Sequence, residues 1–158
     1  MLIDSGATFS NDRAYRYKLW RIWDIDKQKV LFIGLNPSVA DERSNDPTII
    51  RCIKRAKELG YGGILMGNLF SLVSTDPWKL YQDRFPVGGE NDHYLQEMAK
   101  ESGKIIACWG NDGELDQRDK FVRLITLKDC QLWCFGLTKS GQPKHPLYLS
   151  YEVPLVAY

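Results

Sequence analysis

The sequence has almost no excess charge of either sign: 21 Lys and Arg stand against 20 Asp and Glu, a formal net charge of +1. That balance excludes a protein that grips nucleic acid through a broad basic field, and a polybasic binder of membrane surfaces. Long hydrophobic runs are missing too, none approaching the roughly 18 consecutive apolar residues of a membrane span. The opening Met1-Leu2-Ile3-Asp4-Ser5-Gly6 has neither the basic nor the apolar stretch of a signal peptide. A soluble, cytoplasmic protein with no membrane partner is the expectation. The cysteines Cys52, Cys108, Cys130 and Cys134 form no C-x-x-C pair and have no His at zinc-ligand spacing. No metal site is expected, and Cys108 and Cys134, inside apolar runs, read as small buried hydrophobes. A Walker A loop, a G-x-G-x-x-G and a nucleophile elbow are all absent, so no cofactor is expected either.

What is present fits one folded unit. A chain of 158 residues that is 44% hydrophobic is long enough for a single core. Residues 1–15, polar and small, read as a flexible N-terminal arm ahead of a single α/β domain over 16–158. Tyr17 to Trp23 alternates polar and apolar residues, the pattern of a strand with one wet face at a sheet edge. Four short apolar runs follow, at Val30–Ile33, Ile64–Met66, Ile105–Trp109 and Leu132–Phe135, as strands buried on both faces would read.

Helical spacing separates them. Asp46-Pro47 reads as an N-cap and first-turn proline; Ile49, Ile50, Ile53, Ala56 and Leu59 make one stripe that Gly60 ends. Further helices are predicted over about 90–102 and about 114–128, the latter with Leu115, Phe121, Val122 and Ile125 inward, and a short one after Thr75-Asp76-Pro77. Alternating strands and helices predict a three-layer α/β/α sandwich with a mainly parallel sheet of about four or five strands.

Ligands of such sheets bind outside the carboxyl ends of the strands. The residues there are Gly34-Leu35-Asn36-Pro37-Ser38, Gly67-Asn68, Trp109-Gly110-Asn111 and Gly136-Leu137-Thr138-Lys139. Any one of these is an ordinary strand exit, since Asn and Gly are common turn residues. Together on one predicted face they suggest a site, because a carboxamide offers both a donor and an acceptor to a planar ligand edge. His145 falls in the loop after the last buried strand, on the same face. His93 sits on a predicted helix and is assigned no role. Arg51, Lys54, Arg55 and Lys57 share one helix opposite its apolar stripe and read as a solvated face.

Two resemblances follow from these residues. Arg16-Tyr17-Lys18-Leu19-Trp20-Arg21, Leu35-Asn36-Pro37-Ser38-Val39-Ala40-Asp41, Asn45-Asp46-Pro47-Thr48-Ile49, Gly67-Asn68-Leu69-Phe70, Gly136-Leu137-Thr138-Lys139 and His145-Pro146-Leu147-Tyr148-Leu149 resemble the bacterial domain-of-unknown-function family 1643. The second, over shorter motifs, is to the uracil-DNA glycosylase superfamily. Gly34-Leu35-Asn36-Pro37 is similar to its first motif in the G-x-N-P form, Asn68 to its base-reading Asn, Trp109-Gly110 to its W-G, and His145-Pro146-Leu147-Tyr148-Leu149-Ser150 to its H-P-S-x-L-S loop.

That second resemblance implies a uracil-DNA-glycosylase-like fold and a set of roles. Asn36 would position water, Asn68 would bind the base, and His145 would donate to the base as charge develops on it. Leu149 would be the wedge that fills the stack behind a flipped nucleotide. Gly34, Pro37, Ser38, Trp109, Gly110, Thr138 and Lys139 would shape the substrate site. Asn36 stands where efficient glycosylases carry Asp, and Leu147 where they carry a phosphate-contacting Ser. Three functions stay open: hydrolysis of an N-glycosidic bond in DNA or a nucleotide, binding of a nucleobase, nucleotide or nucleic acid without chemistry, and an unrelated small-molecule reaction.

Overall fold

A computed structural model describes all 158 residues. Seven strands are present: β1 (Asp4–Phe9), β2 (Arg16–Ile22), β3 (Lys29–Gly34), β4 (Gly63–Asn68), β5 (Ser102–Ala107), β6 (Leu132–Cys134) and β7 (Val156–Ala157). Four α-helices accompany them: α1 (Pro47–Glu58), α2 (Trp78–Gln82), α3 (Asn91–Glu101) and α4 (Arg118–Phe121). The strands form one sheet in the order β1-β2-β4-β3-β5-β6-β7.

The central β4-β3-β5-β6 are mutually parallel, while β1, β2 and β7 run antiparallel to their neighbours. The sheet is therefore mixed and larger than the mainly parallel sheet of four or five strands that the apolar runs predict. Two of the added strands are short on apolar signal: β1 is Asp-Ser-Gly-Ala-Thr-Phe and β7 only Val-Ala. Residues 4–9, read from sequence as part of an arm, pair with β2 in a register from Asp4↔Ile22 to Phe9↔Arg16. With β1 outside it and β4 inside, β2 is not an edge strand. Its polar–apolar alternation still separates two environments, but Arg16 and Arg21 are themselves buried.

Period-two alternation assigns the central side chains to opposite faces. Leu31, Ile33, Leu65 and Ile105 meet α3 through Leu95 and Met98 on one side. Val30, Phe32, Ile64, Met66 and Ile106 meet α1 through Ile49, Cys52 and Ala56 on the other. Helices thus cover both faces. A fully buried side chain such as Ile49 contributes about 2 kcal/mol through lost contact with water.

α1 begins and ends as its sequence predicts, but its buried face is Ile49, Cys52 and Ala56, while Ile50 and Leu59, expected on the apolar stripe, are exposed. Asp46 Oδ1 accepts from Ile49 N at 2.9 Å, a cap worth about 1 kcal/mol, Pro47 opens the first turn, and Gly60 takes a φ of +84° just beyond the end. The helix expected over about 114–128 does not form as one piece. Asp116 and Gln117 adopt φ of 52° and 55°, dividing a 3-10 segment (Asn111–Gln117) from α4, which runs on into a π turn (Val122–Thr126). The break and the wider turn shift the buried phase. Val122, Thr126 and Leu127 go inward, whereas Phe121 and Ile125, expected inward, are exposed.

Candidate functional site

The crossover from β3 to β4 through α1 and the return past β3 to β5 leave a crevice at the carboxyl ends of these three strands, where sheet topology favours ligands. A cavity of about 370 Å³ lies there. Asn36, Asn68 and His145, separated by up to 109 positions in the chain, all line it. So do Gly34, Ser38, Trp109 and Gly110 of the predicted set.

Asn36 follows β3, and its amide is locked. Nδ2 donates to Pro37 O at 3.1 Å, Leu72 O at 3.2 Å and Ser74 O at 3.0 Å, so three carbonyls share its two hydrogens. That arrangement settles which way the amide faces and leaves Oδ1 free to accept. Asn68 ends β4 and is almost completely buried, yet its Nδ2 has no hydrogen-bond partner in the protein. An unpaired buried amide is costly unless a ligand completes it. Asn91 holds this strand end by donating from Nδ2 to Asn68 O at 2.8 Å and Leu69 O at 3.1 Å. Gly34 makes room opposite: a Cβ there would sit 2.9 Å from Asn68 Oδ1 and 2.9 Å from Met66 Cε.

His145 caps the 3-10 turn Pro146–Tyr148. Its Nδ1 accepts from Leu147 N at 3.2 Å, which places the ring proton of the neutral imidazole on Nε2 as the available donor. Surrounding protein lowers its pKa below the usual 6.5 by desolvation, with Asp46 opposing, which favours that neutral form. The loop carrying it is anchored twice. Gly110 N donates to Pro143 O at 2.9 Å, and Trp109 Nε1 donates to Gln142 Oε1 at 2.9 Å. Gln142 Nε2 donates in turn to Asp119 Oδ2 at 3.0 Å. From the far side Arg51 donates to Pro146 O and Leu149 O, and Arg55 to Ser150 O at 2.6 Å. These two arginines, expected on a solvated face, are engaged with carbonyls of the C-terminal segment.

Four predicted site residues do not line the cavity. Pro37 is buried and shapes the turn behind Asn36 through its carbonyl. Thr138 closes the 138–142 turn, its N–H donating to Gln142 O at 2.8 Å and its hydroxyl to Asn111 Oδ1 at 2.6 Å. Lys139 is exposed, and Leu149 packs against the α1-side core. Their strand-end position in sequence carried no information about which way the turn would swing.

Several lining residues were not among the site residues expected from sequence: Arg16, Asp46, Thr48, Ser74, Thr75 and Asp112. Arg16 is buried at the start of β2, and burial lowers its guanidinium to about 10, with Asp46 opposing and Arg21 adding to the effect. Asp46 uses Oδ1 to cap α1, and its Oδ2 accepts from no protein donor. Asp112 accepts from the Tyr81 hydroxyl at 2.7 Å, a bond that raises Tyr81 to about 12. Asp46 alone was legible, as a helix cap, because capping has a local signature and cavity lining has none. No three His, Cys, Asp or Glu side chains gather as a metal-ligand set.

The fold and the cavity define an α/β protein with a polar cavity at the strand ends. Residues 16–147 match the family described as "Protein of unknown function (DUF1643)", and the chain belongs to that family. No curated protein and no solved structure matches it significantly.

Proposed function

We propose that the cavity binds a nucleobase and hydrolyses the N-glycosidic bond that carries it. The observation behind this reading is the convergence of one fixed acceptor, one unpaired carboxamide and one neutral imidazole donor on a single cavity. It also draws on the similarity of the same residues to uracil-DNA glycosylase motifs. Asn68 offers its carboxamide edge to the donor–acceptor edge of the base. Asn36 Oδ1 accepts from the attacking water and orients it.

A carboxamide cannot take the proton from that water at neutral pH. Asp46 is the buried carboxylate of the lining, and its free Oδ2 fills this role. As the water oxygen bonds to the anomeric carbon, the carbon–nitrogen bond breaks and its electron pair leaves on the base. The water proton passes to Asp46. His145 Nε2–H donates to the departing base, stabilising charge that is absent in the ground state.

The test is release of free base from nucleosides, nucleotides and modified single- and double-stranded DNA, followed by chromatography. A substrate found this way should lose about 100-fold to 1,000-fold of its rate on His145→Ala, the usual cost of one such donor. No release from any of them overturns the hydrolytic reading. The Asn36 carboxamide favours a second reading, binding without cleavage. Thermal stabilisation by bases or nucleotides with no product supports it, with about 2.7 kcal/mol expected at a hundredfold excess over Kd.

A further inference from the structure

Four arginines are buried: Arg16, Arg21, Arg55 and Arg118. Three are engaged. Arg21 donates to Asn45 Oδ1, Gly6 O, Trp20 O, Asp41 O and Ser44 O, tying β1 and β2 to the 41–45 loop. Arg55 holds carbonyls of the C-terminal segment, and Arg118 pairs with Asp92 and Leu69 O. Arg16 differs in having a single hydrogen bond, from Nη1 to Ala40 O at 2.9 Å; its Nε has no partner, as in Arg55, and like Arg21 and Arg55 it takes part in no ion pair. Of the four, it alone lines the cavity. Asp46 favours its charge from a distance but makes no contact with it, and a desolvated guanidinium with donors left over matches phosphate oxygens.

We propose that Arg16 supplies an anion subsite inside the cavity, and that the ligand is a mononucleotide whose phosphate binds there. The identity of the nucleotide's other half rests on the nucleobase reading above; the anion subsite does not. Thr48, in the first turn of α1, lines the same cavity and adds a hydroxyl donor. Asp46 and Asp112 are the carboxylates of the lining. They suit hydroxyls or water, and Arg16 is the only arginine or lysine of the lining, so the phosphate belongs there. A cavity of about 370 Å³ stands at the small end of ligand sites and suits one nucleotide. Outside it, Arg51 and Arg55 are engaged with carbonyls.

The experiment measures binding to the intact protein at low salt, by calorimetry, of nucleoside 5′-monophosphates, the matching nucleosides, inorganic phosphate and short oligonucleotides. The monophosphate should bind at least about tenfold more tightly than its nucleoside, as a charge-assisted contact implies, with inorganic phosphate competing. Arg16→Gln should erase that difference and Arg16→Lys should keep part of it. The wild-type series stands even where a variant does not fold. Equal affinity for nucleoside and monophosphate overturns the anion subsite and leaves the base reading intact. Phosphate binding without any preference for a base leaves the subsite standing and overturns the base reading. Tighter binding of oligonucleotides than of monophosphates overturns the mononucleotide. No binding by any member of the series overturns both ideas.

Discussion

Asp46 does two separable things, and one substitution tells them apart. Asn caps helices as well as Asp, so Asp46→Asn should keep α1 capped while removing the only buried carboxylate of the cavity, any loss of thermal stability coming from the charge it sets near buried Arg16. Base release should then fall at least about 100-fold, the scale of general base catalysis. A variant that cleaves at the wild-type rate excludes Asp46 as the base. His145 has a similar double character. Because its folded pKa lies below 6.5, the unfolded chain binds its proton more readily. The corresponding stability is present above 6.5 and lost as pH falls through the lowered folded value. His145→Asn keeps an acceptor for Leu147 N but cannot titrate, so its melting temperature should fall less than that of wild type between pH 7 and 5. Parallel curves in thermal melts would show that this residue does not contribute.

Elements decide where such residues point. The His145 loop has no regular structure beyond one 3-10 turn, and its position depends on the Trp109–Gln142–Asp119 chain and on Arg51. Arg51→Met removes two donors to this segment and retains the aliphatic packing. Amide exchange over residues 143–153 should accelerate by roughly tenfold or more, given about 1.5–3 kcal/mol for hydrogen bonds from a charged donor, while α1 stays protected. Unchanged exchange would mean that Arg55 and the β5 side hold the loop without Arg51.

At this scale the sequence was readable where structure is local. The cap of α1, its glycine stop and the central strands follow from spacing and turn chemistry. The interrupted segment after Asn111 did not, because the left-handed backbone at Asp116 and Gln117 is not announced by glycine there. β1 was missed for a different reason. Its side chains carry little apolar signal, and what holds it is the backbone ladder to β2 together with Arg21 bonding Gly6 O.

Across the whole molecule the two faces of the sheet bury three of the four thiols. Cys52, Cys108 and Cys134 are buried and Cys130 is partly open. Burial pushes the Cys108 thiol up to about 12 and raises the other three as well. A soluble thiol reagent should therefore modify Cys130 first in the native protein, with the remaining three reacting only at the rate of unfolding, as read by peptide mass spectrometry. Early modification of Cys52 or Cys108 would show that the α1 layer opens well before the molecule unfolds.

Spacing alone determined the strand–helix alternation, the cap at Asp46, and the three polar residues expected past the strand ends, since each is written within a few neighbours along the chain. Only the tertiary structure decided that Asn36, Asn68 and His145 share one cavity, that Leu149 and Thr138 turn away from it, and that Arg16 enters from an antiparallel strand. Those outcomes depend on how the sheet orders its strands and on which carbonyls compete for each guanidinium. Both are long-range contacts, and no local pattern of residues encodes them.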